Sequence, residues 1–445
     1  MASLPPMQES LQPLEFDTPI LEAKIAVLPP KREWRVKVPG EAKLTVKILY
    51  GIAEVFGTEL TNDVEYTFQS ANIAIYSVEH VKIEWKCAEA LEPTISSETS
   101  MPYIYYLHFA LEKMRLSSFD GPRMLIVGES SSGKTTLAKT LSAYALKGKP
   151  YTPLYINLNP QEGIFAPPSC ITATPISYLL EVESTMWGQS MTTGATALHS
   201  KQPMVKSFGL EQIAENRELY LEAMNQLSKA VEGRLRNDPL VRRSGIIVDT
   251  PPLSHLDDSY TELKAAISKF NIDIMVVCCP DDSLAIKLGE VFQSLVRIII
   301  RIPTSPGVVK IDDVARRSFQ RSQIREYFYG NKNTVLSPYT IGVDLMDVVV
   351  WKPKSTLELG DAGAKTSMTE LERVEVNASN LQHAIVSITY APRKSTPEEV
   401  LKSGVLGIAL VTEVNETKRK MRILLPVPGR LPDKAMILTA YRYLE

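Results

Sequence analysis

Met124-Leu125-Ile126-Val127-Gly128-Glu129-Ser130-Ser131-Ser132-Gly133-Lys134-Thr135 is the stretch that decides the fold. Four apolar residues predict a buried strand, and the helix-like run Thr135–Leu146 follows the glycines. Gly128 to Thr135 matches G-x-x-x-x-G-K-[ST] in full, in the strand-then-helix context that gives the motif meaning. The glycines let the backbone curl until successive N–H groups face one phosphate, and the helix start adds its positive dipole end. Lys134 supplies a point charge for β- and γ-phosphates, and the Thr135 hydroxyl suits Mg²⁺. The expected nucleotide contacts are Gly128, Ser130, Ser131, Ser132, Gly133, Lys134, Thr135 and Thr136.

Further along, Ile246-Ile247-Val248-Asp249 reads as a second buried strand ending in a carboxylate. Beside a P-loop, such an Asp holds a magnesium-bound water. Thr250-Pro251-Pro252 then turns the chain out of the sheet. Leu154–Leu158, Ile272–Cys279 and Val296–Ile302 are further apolar runs, with helical stretches such as Leu210–Gly233 between them. This alternation predicts an α/β domain over residues 101–330, with a parallel sheet covered on both faces. Tyr103–Lys113 reads as an amphipathic helix at its start.

Both flanks read differently. Trp34, Val36 and Val38 alternate with polar residues, Pro39-Gly40 turns, and Leu44, Val46 and Ile48 alternate again. Short runs continue to Val81–Trp85, which predicts a small all-β module over 21–100. Glu92–Ser100 is polar and aperiodic, and reads as a boundary. Residues 331–445 return to β, with strands expected at Val348–Trp351, Ala384–Tyr390, Leu406–Val414, Met421–Leu425 and Met436–Ala440. Pro426 marks an edge or a strand end. Residues 1–20, rich in Pro, Ser and Gln, are expected to form a flexible tail.

Composition excludes several classes. Hydrophobic residues make up 44% and net charge is −2, so no global positive field draws in nucleic acid, and RNA contact would need a local patch. Cys87, Cys170, Cys278 and Cys279 lack metal spacing and do not cluster with the five histidines, which predicts reduced thiols. The first twenty residues lack a basic start and an apolar h-region, and no apolar run reaches the ~18 residues of a membrane helix. These absences predict a soluble, intracellular protein.

GESSSGKTT, LYINLNP, GIIVDTPP, RSQIREYFYG, SPYTIGVD and LLPVPGRLPDKAMILTAYRYLE together resemble the polynucleotide 5′-hydroxyl kinase family. Within it, the chain is similar to the fungal branch of ATP-binding subunits of pre-mRNA cleavage factor IA. The resemblance runs from about residue 30 to Glu445. It implies an N-terminal β-sandwich, a central P-loop NTPase domain and a small C-terminal β-rich (α+β) domain. It also implies ATP and Mg²⁺ as cofactors and a nuclear location. The implied partners are the scaffold subunit that binds the RNA polymerase II C-terminal tail and other 3′-end processing factors. RNA contact would be indirect, and no membrane is implied. Glu33 stands at the family position that touches adenine; by itself it reads as a solvated residue before a strand. A second adenine-side position, basic in a close relative, falls on Asn72. Active kinases carry a general-base Asp where this chain has Asn159. A neutral amide cannot take the proton, a loss of about 10²–10⁴-fold, so the resemblance implies a silent enzyme.

Arg316, Arg317, Arg321 and Arg325 stand where active kinases have a lid helix that stabilises the transferring phosphate. Without the resemblance they read as a solvated helix face with Ile324 and Phe328 turned inward. Lys418–Arg422 reads as a basic hairpin turn, or as an import signal or RNA patch. Trp187, Gln189, Lys201, Gln202, Pro203 and Lys206 fall in a long irregular insert. Such inserts serve equally as partner-docking surfaces or as lids.

Overall fold

The computed structural model describes residues 21–149, 151–188, 203–356 and 369–444. Three seven-stranded sheets follow one another along the chain. In the first, strands β1 (Lys24–Leu28), β2 (Glu33–Tyr50), β3 (Ala53–Val55), β4 (Thr58–Glu59), β5 (Glu65–Ser77), β6 (Val81–Lys86) and β7 (Thr94–Ser96) are joined antiparallel. Period-2 alternation sends Trp34, Val36, Val38, Ile73 and Ile75 into one core, with Trp85 beside Trp34. Strand β7 lies inside the stretch read as a boundary. Three residues are too few to show a period, and their pairing with β2 is tertiary.

The central sheet runs in the order β11-β10-β9-β12-β8-β13-β14. Strands β9 (Leu154–Asn157), β12 (Ile246–Asp249), β8 (Arg123–Gly128), β13 (Ile274–Cys279) and β14 (Ile298–Pro303) are parallel. Strands β10 (Cys170–Pro175) and β11 (Met204–Ser207) extend it antiparallel. That pair corrects the reading of an irregular insert, since Met204–Ser207 is a strand. Helices α1 (Met101–Ser117), α2 (Lys134–Gly148), α3 (Arg217–Asn237), α4 (Pro239–Ser244), α5 (Thr261–Phe270), α6 (Asp282–Phe292) and α7 (Asp313–Tyr329) accompany it. Leu125, Val127, Val248 and Val277 pack with α3 and α5 on one face; Met124, Ile126, Ile247 and Val276 pack with α1 and α2 on the other. Burial on both faces explains why these strands read as unbroken apolar runs.

The third sheet orders β15 (Tyr339–Asp344), β20 (Lys420–Leu425), β19 (Val405–Asn415), β18 (Ala384–Pro392), β21 (Lys434–Arg442), β16 (Val350–Pro353) and β17 (Leu371–Arg373). Strand β20 is interior, so Pro426 marks a strand end. The basic run around Lys418 forms the β19–β20 turn. No described helix is long and apolar enough to cross a membrane.

The first two sheets meet at the phosphate-binding helix. Buried Glu54 of β3 accepts from Tyr144 of α2, with Tyr105 of α1 at 3.4 Å, and Tyr105 stacks on Tyr144. Burial pushes the Glu54 carboxyl above its ordinary value, against the two tyrosines and Lys147. At the next turn Gly57 has φ +82°, and a Cβ there would stand 2.8 Å from the Thr140 carbonyl oxygen. Glycine permits this approach of the hairpin to α2.

Candidate nucleotide site

The phosphate loop joins β8 to α2. Gly133 caps α2 with φ +88°, a left-handed conformation that glycine adopts at little cost. Gly128 passes so close to β13 that a Cβ would lie 2.5 Å from the Cys278 carbonyl oxygen. The Lys134 ammonium is buried and donates to the Glu129 carbonyl across the loop at 2.7 Å. The buried Ser132 hydroxyl has no partner. Ser131 accepts from the Ile311 N–H at 3.3 Å, and Thr136 is exposed.

At the C-terminal end of β12, Asp249 is 1% exposed. Its Oδ2 accepts from Tyr155 at 3.1 Å, while Oδ1 has no partner. Thr135 donates to Glu162 at 3.0 Å and also bears on Asp249. Burial, and then Glu162, push the Asp249 carboxyl up to about 7, against Lys134, Thr135 and Tyr155. A buried acceptor without a donor, beside a second carboxylate and a threonine hydroxyl, is an all-oxygen donor set suited to a hard divalent cation. The described residues contain no cluster of three His, Cys, Asp or Glu that would hold a metal alone. The remaining ligands would therefore be phosphate oxygens and water.

Asn159 follows β9 and is buried. Its Oδ1 accepts from the Gln161 N–H at 3.2 Å, and its own N–H donates to Asn157 Oδ1. The amide oxygen thus shapes the turn that carries Glu162.

The opposite wall comes from the first sheet. Glu33 and Asn72 share one face of the β2–β5 pair: Glu33 is opposite Tyr76, and Lys37 is opposite Asn72. Glu33 is buried, which corrects its reading as solvated. Its carboxylate holds Arg35 on one oxygen and Thr99 on the other. Asn72 is exposed. A Cβ on Gly307 would stand 2.6 Å from Arg35 Nε, and Val308 approaches Gly133. Residues 304–311 therefore span from the Glu33–Arg35 pair to the phosphate loop.

The arginines of α7 divide. Burial, Arg316 and Lys134 together hold the His255 imidazole below its ordinary value, so Arg316 shares that neighbour with the phosphate loop. It also pairs with Asp313. Arg317 pairs with Glu211, and Arg321 lies over the Tyr443 ring and donates to Leu444. Arg325 is exposed, and Ile324 and Phe328 are buried. The four do not converge as one lid. The insert is corrected as well. Trp187 is buried with its ring 4.5 Å from that of Tyr155, Pro203 is buried, and Lys206 is buried and donates to the Lys402 carbonyl. These three fill the chain's own interior. Gln189, Lys201 and Gln202 lie outside the described residues.

Glu162, Tyr155, Arg35, Thr99 and His255 escaped the sequence reading. Each reaches the site from a separate segment, and no local pattern marks them.

Three family models match the chain. They are the N-terminal beta-sandwich domain of polyadenylation factor over residues 27–118, the mRNA cleavage and polyadenylation factor CLP1 P-loop over 128–330, and the pre-mRNA cleavage complex II protein Clp1 over 336–445. The mRNA cleavage and polyadenylation factor CLP1 of Eremothecium gossypii is 70% identical over 445 residues, covering 100% of both chains. This chain belongs to the CLP1 family of mRNA cleavage and polyadenylation factors. The CLP1 of Saccharomyces cerevisiae is 51% identical over 450 residues, again covering 100% of both. A solved complex of wild-type Clp1p with Pcf11p residues 454–563 superposes with a TM-score of 0.89 at 52% identity, covering 95% of this chain and 99% of the other. A second, at TM-score 0.89 and 51% identity over the same shares, is described as an extended interface between Pcf11p and Clp1p with the structural basis for ATP loss in a point mutant. The CLP1 P-loop domain implies nucleotide binding.

Proposed function

We propose that this chain is an ATP-holding, catalytically silent scaffold subunit of the nuclear pre-mRNA 3′-end cleavage and polyadenylation machinery. The observation that carries the reading is a complete phosphate loop beside an amide at residue 159 whose oxygen is already committed to its own turn. Lys134 and the amides of 130–136 would hold the triphosphate, and Thr135, Asp249 and Glu162 would hold Mg²⁺, directly or through water. The ion would neutralise phosphate charge. Glu33, Asn72 and residues 304–311 would enclose the base, with Glu33 exchanging part of its present pairing. Bound this way, ATP ties the first sheet to the second and steadies a surface for a Pcf11-type partner, the scaffold subunit that engages the polymerase II tail. Nucleotide released by denaturing the purified protein should be stoichiometric, intact ATP. Recovery of ADP, or turnover of added ATP, would overturn the reading.

Glu162 favours a second reading, an RNA 5′-hydroxyl kinase or slow ATPase. It is a carboxylate three residues beyond Asn159, and it already touches Thr135. Transfer of labelled phosphate to a 5′-hydroxyl RNA, abolished by both Lys134→Ala and Glu162→Gln, would establish it in place of the scaffold.

A further inference from the structure

Helix α7 buries one face, and two amides sit in it. Gln320, Gln323, Ile324, Tyr327 and Phe328 are its buried residues, at the three- and four-residue spacing of a helical stripe. Ile324, Tyr327 and Phe328 share a core with Ile408 and Leu410 of the third sheet, and the Tyr327 hydroxyl accepts from the Ile408 N–H at 2.9 Å. Gln320 is 2% exposed and Gln323 0%. A buried amide costs free energy unless it is hydrogen-bonded, so the partners of these two say what they are for.

Both bond the turn that carries Glu162. Gln323 Oε1 accepts from the Gly163 N–H at 3.1 Å, and its Nε2 donates to the Gly163 carbonyl at 3.0 Å. Gln320 Nε2 donates to the Gln161 carbonyl at 3.0 Å and lies 3.3 Å from the Tyr441 hydroxyl of β21. From the β9 side, buried Asn157 donates to the Glu162 carbonyl at 2.7 Å. The peptide groups joining Gln161 to Glu162, Glu162 to Gly163, and Gly163 to Ile164 are thus each held by a buried side chain. The Glu162 carboxylate leaves this fixed backbone to accept from Thr135 at 3.0 Å.

We propose that Gln323, seconded by Gln320, is a positioning residue for the cation. It presents Glu162 to the ion beside Thr135, and it carries the seating of α7 on the third sheet to that point. The inference rests on the reading above of Thr135, Asp249 and Glu162 as the surroundings of Mg²⁺. Side chains that orient an ion's ligands change its affinity by about 10–100-fold when they are removed. Lys134 and the loop amides reach the phosphates without this turn, so the effect belongs to the magnesium-dependent part of ATP affinity.

Gln323→Met keeps the length of the side chain and removes both bonds to Gly163. Nucleotide-free full-length protein would be titrated with ATP by calorimetry, once with Mg²⁺ and once with EDTA. The gain in affinity from Mg²⁺ should fall about tenfold or more in Gln323→Met, while affinity in EDTA changes less than about twofold. In a Glu162→Gln background, Gln323→Met should remove no further magnesium gain, because the first residue acts through the second. Melting temperatures check folding. If Gln323→Met does not fold, Gln320→Met, which breaks one bond to the same turn, is scored by the same two titrations. Equal weakening with and without Mg²⁺ would make the amides props of the fold and overturn the inference. So would a magnesium gain untouched by Gln323→Met but lowered by Glu162→Gln, which leaves the Mg²⁺ reading standing. A gain that survives Glu162→Gln in the otherwise wild-type chain removes Glu162 from the ion and overturns both.

Discussion

Asp249 sets the electrostatic character of the site. With its carboxyl raised to about 7, the folded chain without ligand binds a proton that the unfolded chain, with an ordinary carboxylate value near 4, has already released. The unfolded state therefore binds fewer protons between about pH 4 and 7, and this residue's contribution to stability falls as pH rises through that window. Asp249→Asn removes the buried charge and its repulsion from Glu162. It should raise the melting temperature of nucleotide-free protein at pH 8, with a smaller gain at pH 5. Divalent-ion binding has the opposite dependence, since the ligand is the ionised carboxylate. Calorimetry should show the magnesium-dependent part of ATP affinity increasing from pH 6 to pH 8 in wild type and flat in Asp249→Asn. A magnesium effect independent of pH in wild type would remove Asp249 from the ion's surroundings.

Helix α2 carries two duties, and both are visible in its residues. Its first turn presents Gly133, Lys134 and Thr135 to the phosphate side, and its later turns present Thr140, Tyr144 and Lys147 to the β3–β4 hairpin. Tyr144→Phe leaves the buried Glu54 without its principal donor. The expected cost is about 1–3 kcal/mol, the range for a stranded buried polar group. The double variant Tyr144→Phe, Glu54→Leu should cost less than Tyr144→Phe alone, because the unmet carboxylate is gone. Denaturant unfolding of wild type, the single variants Tyr144→Phe and Glu54→Leu, and the double variant decides this, and simple additivity would mean that the pair does not act together. The first duty was legible in the sequence and the second was not. A phosphate loop is eight contiguous residues whose chemistry is local. The Glu54–Tyr144 contact spans ninety positions and obeys no period. Trp187 illustrates the same limit. An exposed insert and a side chain packed on Tyr155 read alike until the tertiary neighbour is known.

Across the whole molecule, the three sheets were foreseeable because each has its own periodicity, alternating on the flanks and continuous in the centre. The nucleotide site was half foreseeable. Its phosphate wall lies in one segment. The base wall proposed for it would draw on residues 33, 35, 99 and 304–311, which come together only in the folded chain. That assembly makes a ligand held between the walls a clamp on their relative position. A ligand bound only by the assembled form stabilises it by mass action, about 2.7 kcal/mol at a hundredfold excess over Kd. Adding ATP and Mg²⁺ to nucleotide-free protein should therefore slow hydrogen exchange at β2 around Glu33–Lys37 as well as at residues 128–136. Lys134→Ala should lose both effects together, although residue 134 belongs to the second sheet's helix and β2 to the first sheet. Protection confined to the phosphate loop would mean that the nucleotide sits on the central domain without bracing the first sheet. The partner surface would then have to be held by the Glu54–Tyr144 contact and its neighbours alone.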